Sequence, residues 1–235
     1  MNSAPNIANF AALIADPARA AILDALLDGR AWTATELSFE AGVTPQTTSS
    51  HLAKLRDGGM IVVAKQGRHH YYRLANAQVA HVLETLAVAA GGRGEPRGAS
   101  RAEAVQLRDA RTCYDHLAGR LAVSLVRSMI DRGYLMLDGR DFALSAPGER
   151  FMARLGIDLV AAREKRRVFA RQCIDWSERE PHLGGALGAS LAARLFEEGW
   201  LTRVPRTRRV TVTPSGEEAL EAHFTFSRYR AELAA

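Results

Sequence analysis

The chain has 235 residues, 47% hydrophobic and 24% charged, which fits two or three small globular domains and excludes a largely disordered chain. No window of about 18 apolar residues occurs, and no charged start leads into an apolar core, so neither a membrane helix nor a secretory leader is expected and the protein should be cytoplasmic. The formal net charge is +5, which points to an acidic partner, and two cysteines, Cys113 and Cys173, make no disulfide framework.

Residues 1–90 predict four helices, a hairpin and a closing helix. Asn6 to Ile14 is a short helix. Asp16 caps the next, with Pro17 at its first position, Ile22, Leu23, Leu26 and Leu27 at helical spacing, and Gly29 past its end. Thr33 and Glu36 fit a capping box that starts a third helix, which stops at Gly42. Thr44-Pro45 caps a fourth helix, running to about Asp57 and ended by Gly58-Gly59. Met60–Ala64 and His69–Leu74 are β-branched or aromatic flanks around Lys65-Gln66-Gly67-Arg68, hence a hairpin. Asn76 to Ala90 is an amphipathic helix.

Residues 91–101 are rich in Gly and Pro and lack an apolar period, so a linker is expected between a domain over 1–90 and a second over 102–235. The second part contains an internal repeat. Cys113-Tyr114-Asp115-His116-Leu117 matches Cys173-Ile174-Asp175 followed, after the insert Trp176 to Pro181, by His182-Leu183. Gly133-Tyr134-Leu135 matches Gly199-Trp200-Leu201, and Leu144-Ser145 with Gly148-Glu149 matches Val212-Thr213 with Gly216-Glu217. Each copy is expected to run helix, helix, glycine turn, hairpin, helix. The fold class is therefore mainly α with small β-hairpin wings. A winged helix-turn-helix domain is expected first, then a pair of repeated winged-helix-like units.

Residues 34–57 carry the functional signal. A helix, the turn Gly42-Val43-Thr44 and a second capped helix make a helix-turn-helix. On a wheel at about 100° per residue, Thr48, Leu52 and Leu55 face inward, and Gln46, Thr47, Ser50 and Lys54 face outward. The outward face has no carboxylate to repel phosphate. Gln can read adenine there, and Thr or Ser can meet base edges or phosphates. Residues 54–73 hold Lys54, Arg56, Lys65, Arg68 and Arg73 against Asp57 alone, and the hairpin tip offers Lys65, Arg68 and His69 to a groove or backbone. Alternation along the strand places His69 and His70 on opposite faces.

The segments Leu13-Ile14-Ala15-Asp16-Pro17-Ala18-Arg19-Ala20-Ala21-Ile22-Leu23, Val43–Leu55 and Gly67–Leu74 resemble those of ArsR/SmtB-type winged-helix repressors, over residues 7–90. The resemblance implies a homodimer joined through the first and last helices of this region, here 6–14 and 76–90. It also implies binding to a double-stranded DNA operator that an effector relieves, with Gln46, Thr47 and Ser50 at the DNA. Two-fold pairing would set the reading helices about 34 Å apart. Two metal sites known in the family have no counterpart. The helix before the recognition helix offers Leu37-Ser38-Phe39-Glu40 without a thiol, and the last helix offers only His81 and Glu84, too few for a four-ligand site.

Effector candidates therefore lie in the repeat: Cys113 and His116, three apart and so on one face if helical, with their counterparts Cys173 and His182. The residues leave three readings open. They are duplicated structure; they line a pocket for a small organic effector together with Tyr114 and Trp176; or they bind a metal ion, zinc or another thiophilic ion, or sense thiol redox state. Two further basic runs, Arg163–Arg167 and Arg203, Arg206, Arg208 and Arg209, read as a solvated helix face and as added phosphate contacts. A DNA-binding repressor is the function these observations favour. A winged-helix protein-interaction adapter would need an apolar exposed face at 46–54, which is polar. An enzyme using Cys113 with His116 as nucleophile and base is a further reading, which no phosphate loop, nucleophile elbow or acidic metal cluster supports.

Overall fold

The structure, a computed structural model, describes residues 7–90 and 101–224. These fall into two compact units that divide between Leu83 and Glu84. Among the described residues no helix is long and apolar enough to cross a membrane. The linker expected over 91–101 lies, except for Arg101, outside the described residues.

The first unit contains α1 (Ile7–Ile14), α2 (Pro17–Leu26), β1 (Trp32–Thr33), α3 (Ala34–Ala41), α4 (Pro45–Asp57), β2 (Ile61–Gln66), β3 (His69–Leu74) and the start of α5 (Ala77–Ala89). Local chemistry sets the helix boundaries. The Asp16 carboxylate accepts from the backbone of Ala18 and Arg19, satisfying donors that the first turn of α2 leaves open. Thr33 and Glu36 close a reciprocal capping box on α3, and Gly42 ends that helix at φ 63°, a left-handed value that glycine adopts without steric cost. Ile22, Leu23, Leu26, Leu37, Leu52, Leu55, Met60, Ile61 and Leu74 form the core.

Two features differ from expectation. The hairpin strands extend through Gln66, leaving a two-residue turn at Gly67-Arg68. A third strand, β1, pairs with β3 through Trp32↔Tyr72 and Thr33↔Tyr71. Two residues are too few for periodicity to register; the pairing comes from tertiary contact.

The second unit contains α6 (Arg101–Asp109), β4 (Arg111–Cys113), β5 (His116–Ala118), α7 (Arg120–Asp131), β6 (Leu135–Asp138), β7 (Asp141–Leu144), α8 (Ala146–Arg154) and α9 (Leu159–Glu164). It continues with β8 (Arg171–Ile174), β9 (Pro181–Gly184), α10 (Gly185–Glu197), β10 (Leu201–Arg203), β11 (Val210–Val212) and α11 (Pro214–His223). Both copies of the repeat run hairpin, helix, hairpin, helix. The expectation that each opens with a helix carrying the Cys and His is wrong. Cys113 and His116 are cross-strand partners, as are Cys173 and His182. The physical reason is a tight turn at Tyr114-Asp115, with Tyr114 at φ 59°. The insert of the second copy does not break its pair, because the extra residues are taken up in the β8–β9 loop.

The repeats interlock. Helix α7 of the first copy packs on β9 of the second, and α10 of the second packs on β5 of the first. Strands β6-β7-β8-β9 form one antiparallel sheet in that order. Leu121, Leu125, Met129, Phe151, Leu187, Leu191, Leu195 and Leu220 fill a continuous core, and burial of this kind contributes about 1.5–3 kcal/mol per large side chain.

Candidate nucleic-acid interface and a buried cysteine–histidine cluster

Helix α4 starts where Thr44 accepts from the Thr47 backbone at 3.2 Å, followed by Pro45, whose missing N–H costs nothing in a first turn. Thr48, Leu52 and Leu55 are buried, and the Thr48 hydroxyl donates to the Thr44 carbonyl at 3.0 Å. Gln46, Thr47, Ser50 and Lys54 are exposed on the opposite side. Lys65, Arg68 and His69 are exposed along the β2–β3 hairpin, with Lys65 opposite His70 and Gln66 opposite His69. Arg68 Nε lies 3.4 Å from His69 Nε2, so these two side chains share the tip.

One anchoring residue was not singled out in the sequence. Arg19 donates through Nε to the Leu13 carbonyl at 2.7 Å and through Nη2 to the Ala12 carbonyl at 2.8 Å, closing the open end of α1. Its Nη1 lies 3.5 Å from His51 Nδ1, so the inner side of α4 is tied to α2. The signal was its place in the resemblance motif, three residues after Asp16.

In the second unit the structure brings Cys113, His116, Cys173 and His182 together. All four are buried, and one ligand atom from each lies within 4.8 Å of the others. The two sulfurs are 3.8 Å apart and unbonded. His116 Nε2 and His182 Nε2 are 3.2 Å apart. The outer nitrogens face carboxylates: His116 Nδ1 lies 3.4 Å from Asp115 Oδ1, and His182 Nδ1 lies 3.3 Å from Asp175 Oδ2. Glycine at 184 keeps one side clear, since a Cβ there would stand 3.1 Å from His116 Nε2.

Each carboxylate has its own arginine. Arg111 Nη2 donates to both oxygens of Asp175 at 2.8 Å, with both side chains fully buried, and Asp175 also accepts from the Gly119 backbone at 2.7 Å. Arg167 Nη1 donates to Asp115 at 2.5 Å. Burial alone would raise Asp175, but His182 and Arg111 outweigh it and hold the carboxyl far below the usual range. The hydrogen bond to Cys173, then burial, pushes the Cys113 thiol well above its usual range. Burial pulls His116 down, yet the Cys113 sulfur and Asp115 carboxylate overcome this and raise it.

Tyr114 sits at the β4–β5 turn, and Trp176 lies in the β8–β9 loop with the Arg111 guanidinium 4.3 Å from its ring centre. Arg163 to Arg166 are exposed, as a solvated run should be, while Arg167, Arg208 and Arg209 are half-buried and paired. Helix α9 ends at Glu164, Arg163 pairs with Glu149 at 2.6 Å, and Arg167 is taken by Asp115. Arg208 pairs with buried Glu84 at 2.6 Å, Arg209 lies 3.6 Å from Glu103, and Arg203 stacks over Phe196. For Arg167 and Arg208, carboxylates distant in sequence took charges that the sequence left to solvent or phosphate.

A family model described as a helix-turn-helix domain matches residues 14–64. The uncharacterized HTH-type transcriptional regulator YdfF of Bacillus subtilis is 44% identical over 219 residues, 93% of this chain and 97% of that protein. The HTH-type transcriptional regulator CmtR of Mycobacterium tuberculosis is 38% identical over 80 residues, 34% of this chain and 67% of that protein. A homodimeric winged helix-turn-helix DNA-binding domain from Mycobacterium bovis is 25% identical over 40% of this chain and 94% of its own, with a TM-score of 0.35. The chain belongs to the HTH-type transcriptional regulators, DNA-binding proteins of the ArsR/SmtB type that its helix-turn-helix and hairpin sequences resemble.

Proposed function

We propose that the protein is an effector-responsive repressor that acts as a cytoplasmic homodimer on a double-stranded DNA operator. Gln46, Thr47 and Ser50 read base edges or adjacent phosphates in the major groove, and Lys54 meets the backbone. Lys65, Arg68 and His69 grip the flanking groove or phosphates. The observation that carries this reading is the division of α4 into a buried side, Thr48, Leu52 and Leu55, and an exposed polar side free of carboxylates. Homodimerisation is supported by α1, an apolar helix with no buried residue, whose Ile7 is 78% exposed. Residues 1–90 form the reading and dimerisation domain. Residues 102–235, taken as two winged-helix-like units, form the regulatory domain. The effector works by population shift, changing the distance between the paired reading helices so that both no longer fit successive grooves. A mobility-shift titration of the full chain against its own upstream DNA, with sedimentation of the free protein, tests this. A two-protomer complex competed poorly by unrelated DNA is expected; equal binding to all sequences, or a monomer, contradicts it.

A further inference from the structure

We propose that Cys113, His116, Cys173 and His182 form a closed tetrahedral site for one thiophilic divalent cation of the zinc class. The site stands whether or not the regulatory reading holds.

Distances support it first. A tetrahedral zinc with two sulfur and two nitrogen ligands has an S···S edge of roughly 3.8 Å and an N···N edge of roughly 3.3 Å. The sulfurs here are 3.8 Å apart and the Nε2 atoms 3.2 Å apart. A disulfide would need about 2.05 Å between the sulfurs.

Histidine orientation is the second support. A carboxylate stands 3.3–3.4 Å behind each Nδ1, hydrogen-bonded in the case of His116, and each ring turns its Nε2 inward toward the other. The 3.2 Å between the Nε2 atoms is hydrogen-bond distance, so a cation ligated by both takes the place of the proton they share. Carboxylate behind histidine is also the arrangement that orients metal-ligating imidazoles.

Charge is the third. The cation displaces to solvent two thiol protons and the proton held between the Nε2 atoms, and the resulting thiolates neutralise its two charges. Asp115 and Asp175 stay balanced by Arg167 and Arg111, so no net charge is buried. Four protein ligands leave no open position, which suits a holding or sensing site rather than a catalytic one. Because one Cys/His pair comes from each hairpin, the ion crosslinks the two copies of the repeat.

The test uses the reduced full chain, stripped with a chelator and titrated with cobalt(II) and then zinc(II). The expected result is one ion per chain by native mass spectrometry, with the visible absorption of tetrahedral cobalt and a thiolate-to-cobalt charge-transfer band. Zinc should displace cobalt, and the band should be lost in Cys113→Ser and in His182→Gln. Should those variants fail to fold, alkylation of the wild-type chain decides: zinc should protect both thiols and chelator should expose them. Stripped wild-type protein that takes up no ion overturns the site. So do a cobalt complex without the charge-transfer band, thiols alkylated equally with and without zinc, and conversion to a Cys113–Cys173 disulfide unaffected by zinc. None of these readouts involves DNA, so failure here is distinct from failure of the operator reading.

Discussion

His116 and His182, 66 residues apart in the chain, bring their Nε2 atoms to 3.2 Å in the buried centre of the second unit. Each belongs to a hairpin that also supplies a cysteine, and each has an aspartate behind its outer nitrogen. The duplication has thus placed two equivalent half-sites face to face.

The aspartates should position the imidazoles rather than touch the ion. Asp115→Asn is expected to weaken zinc binding by about 10–100-fold while keeping one ion per chain. Competition with a chromophoric chelator measures this. Unchanged affinity would show that Asp115 serves only its pair with Arg167.

Arg111 and Asp175 are fully buried and joined by two contacts at 2.8 Å. Removing one partner of such a pair leaves a charge without compensation, typically at a cost of about 3–5 kcal/mol. Arg111→Met should therefore lower the urea midpoint of the second unit strongly. Arg111→Met combined with Asp175→Asn should recover part of the loss, because no buried charge remains. A mild single-variant effect would show that the Asp175 backbone contacts suffice.

Acid should act through Glu84. Burial by itself would raise its pKa, but Arg208, together with Arg111 and His182, outweighs burial and the carboxyl lies below its ordinary 4.5. A lowered folded-state pKa means that the carboxylate stabilises the fold fully above about pH 5, and that this contribution fades as pH falls through and below 4.5. Wild type and Glu84→Gln should thus differ in denaturation free energy by a constant amount near neutrality and converge in acid. Parallel curves down to low pH would exclude the pair as the cause.

The wing should contribute affinity without sequence information. Arg68→Ala is expected to weaken operator and unrelated DNA about equally and to reduce the slope of log affinity against log salt by about one. A loss confined to the operator would instead assign Arg68 a base contact.

Much of the first unit was legible because short-range chemistry fixes it. Asp16, Thr33 and Thr44 are caps that work within their own first turn, and the inward trio Thr48, Leu52 and Leu55 follows from helical period alone. Strand β1 was not legible, since Trp32-Thr33 becomes a strand only when β3 arrives beside it. The Cys113–His116 spacing misled for a specific reason. Residues three apart share a helix face, but they are also cross-strand partners when a two-residue turn lies between them. Composition could not tell a solvated arginine from Arg167 or Arg208, whose carboxylates lie about fifty and more than a hundred residues away.

The exposed side of α4 is tested most directly by a competitive mobility shift comparing wild type with Gln46→Ala and Ser50→Ala on operator and scrambled DNA. Each variant should lose about 1–3 kcal/mol of operator binding while nonspecific binding stays unchanged. Operator affinities equal to wild type for both variants would contradict DNA reading by this face.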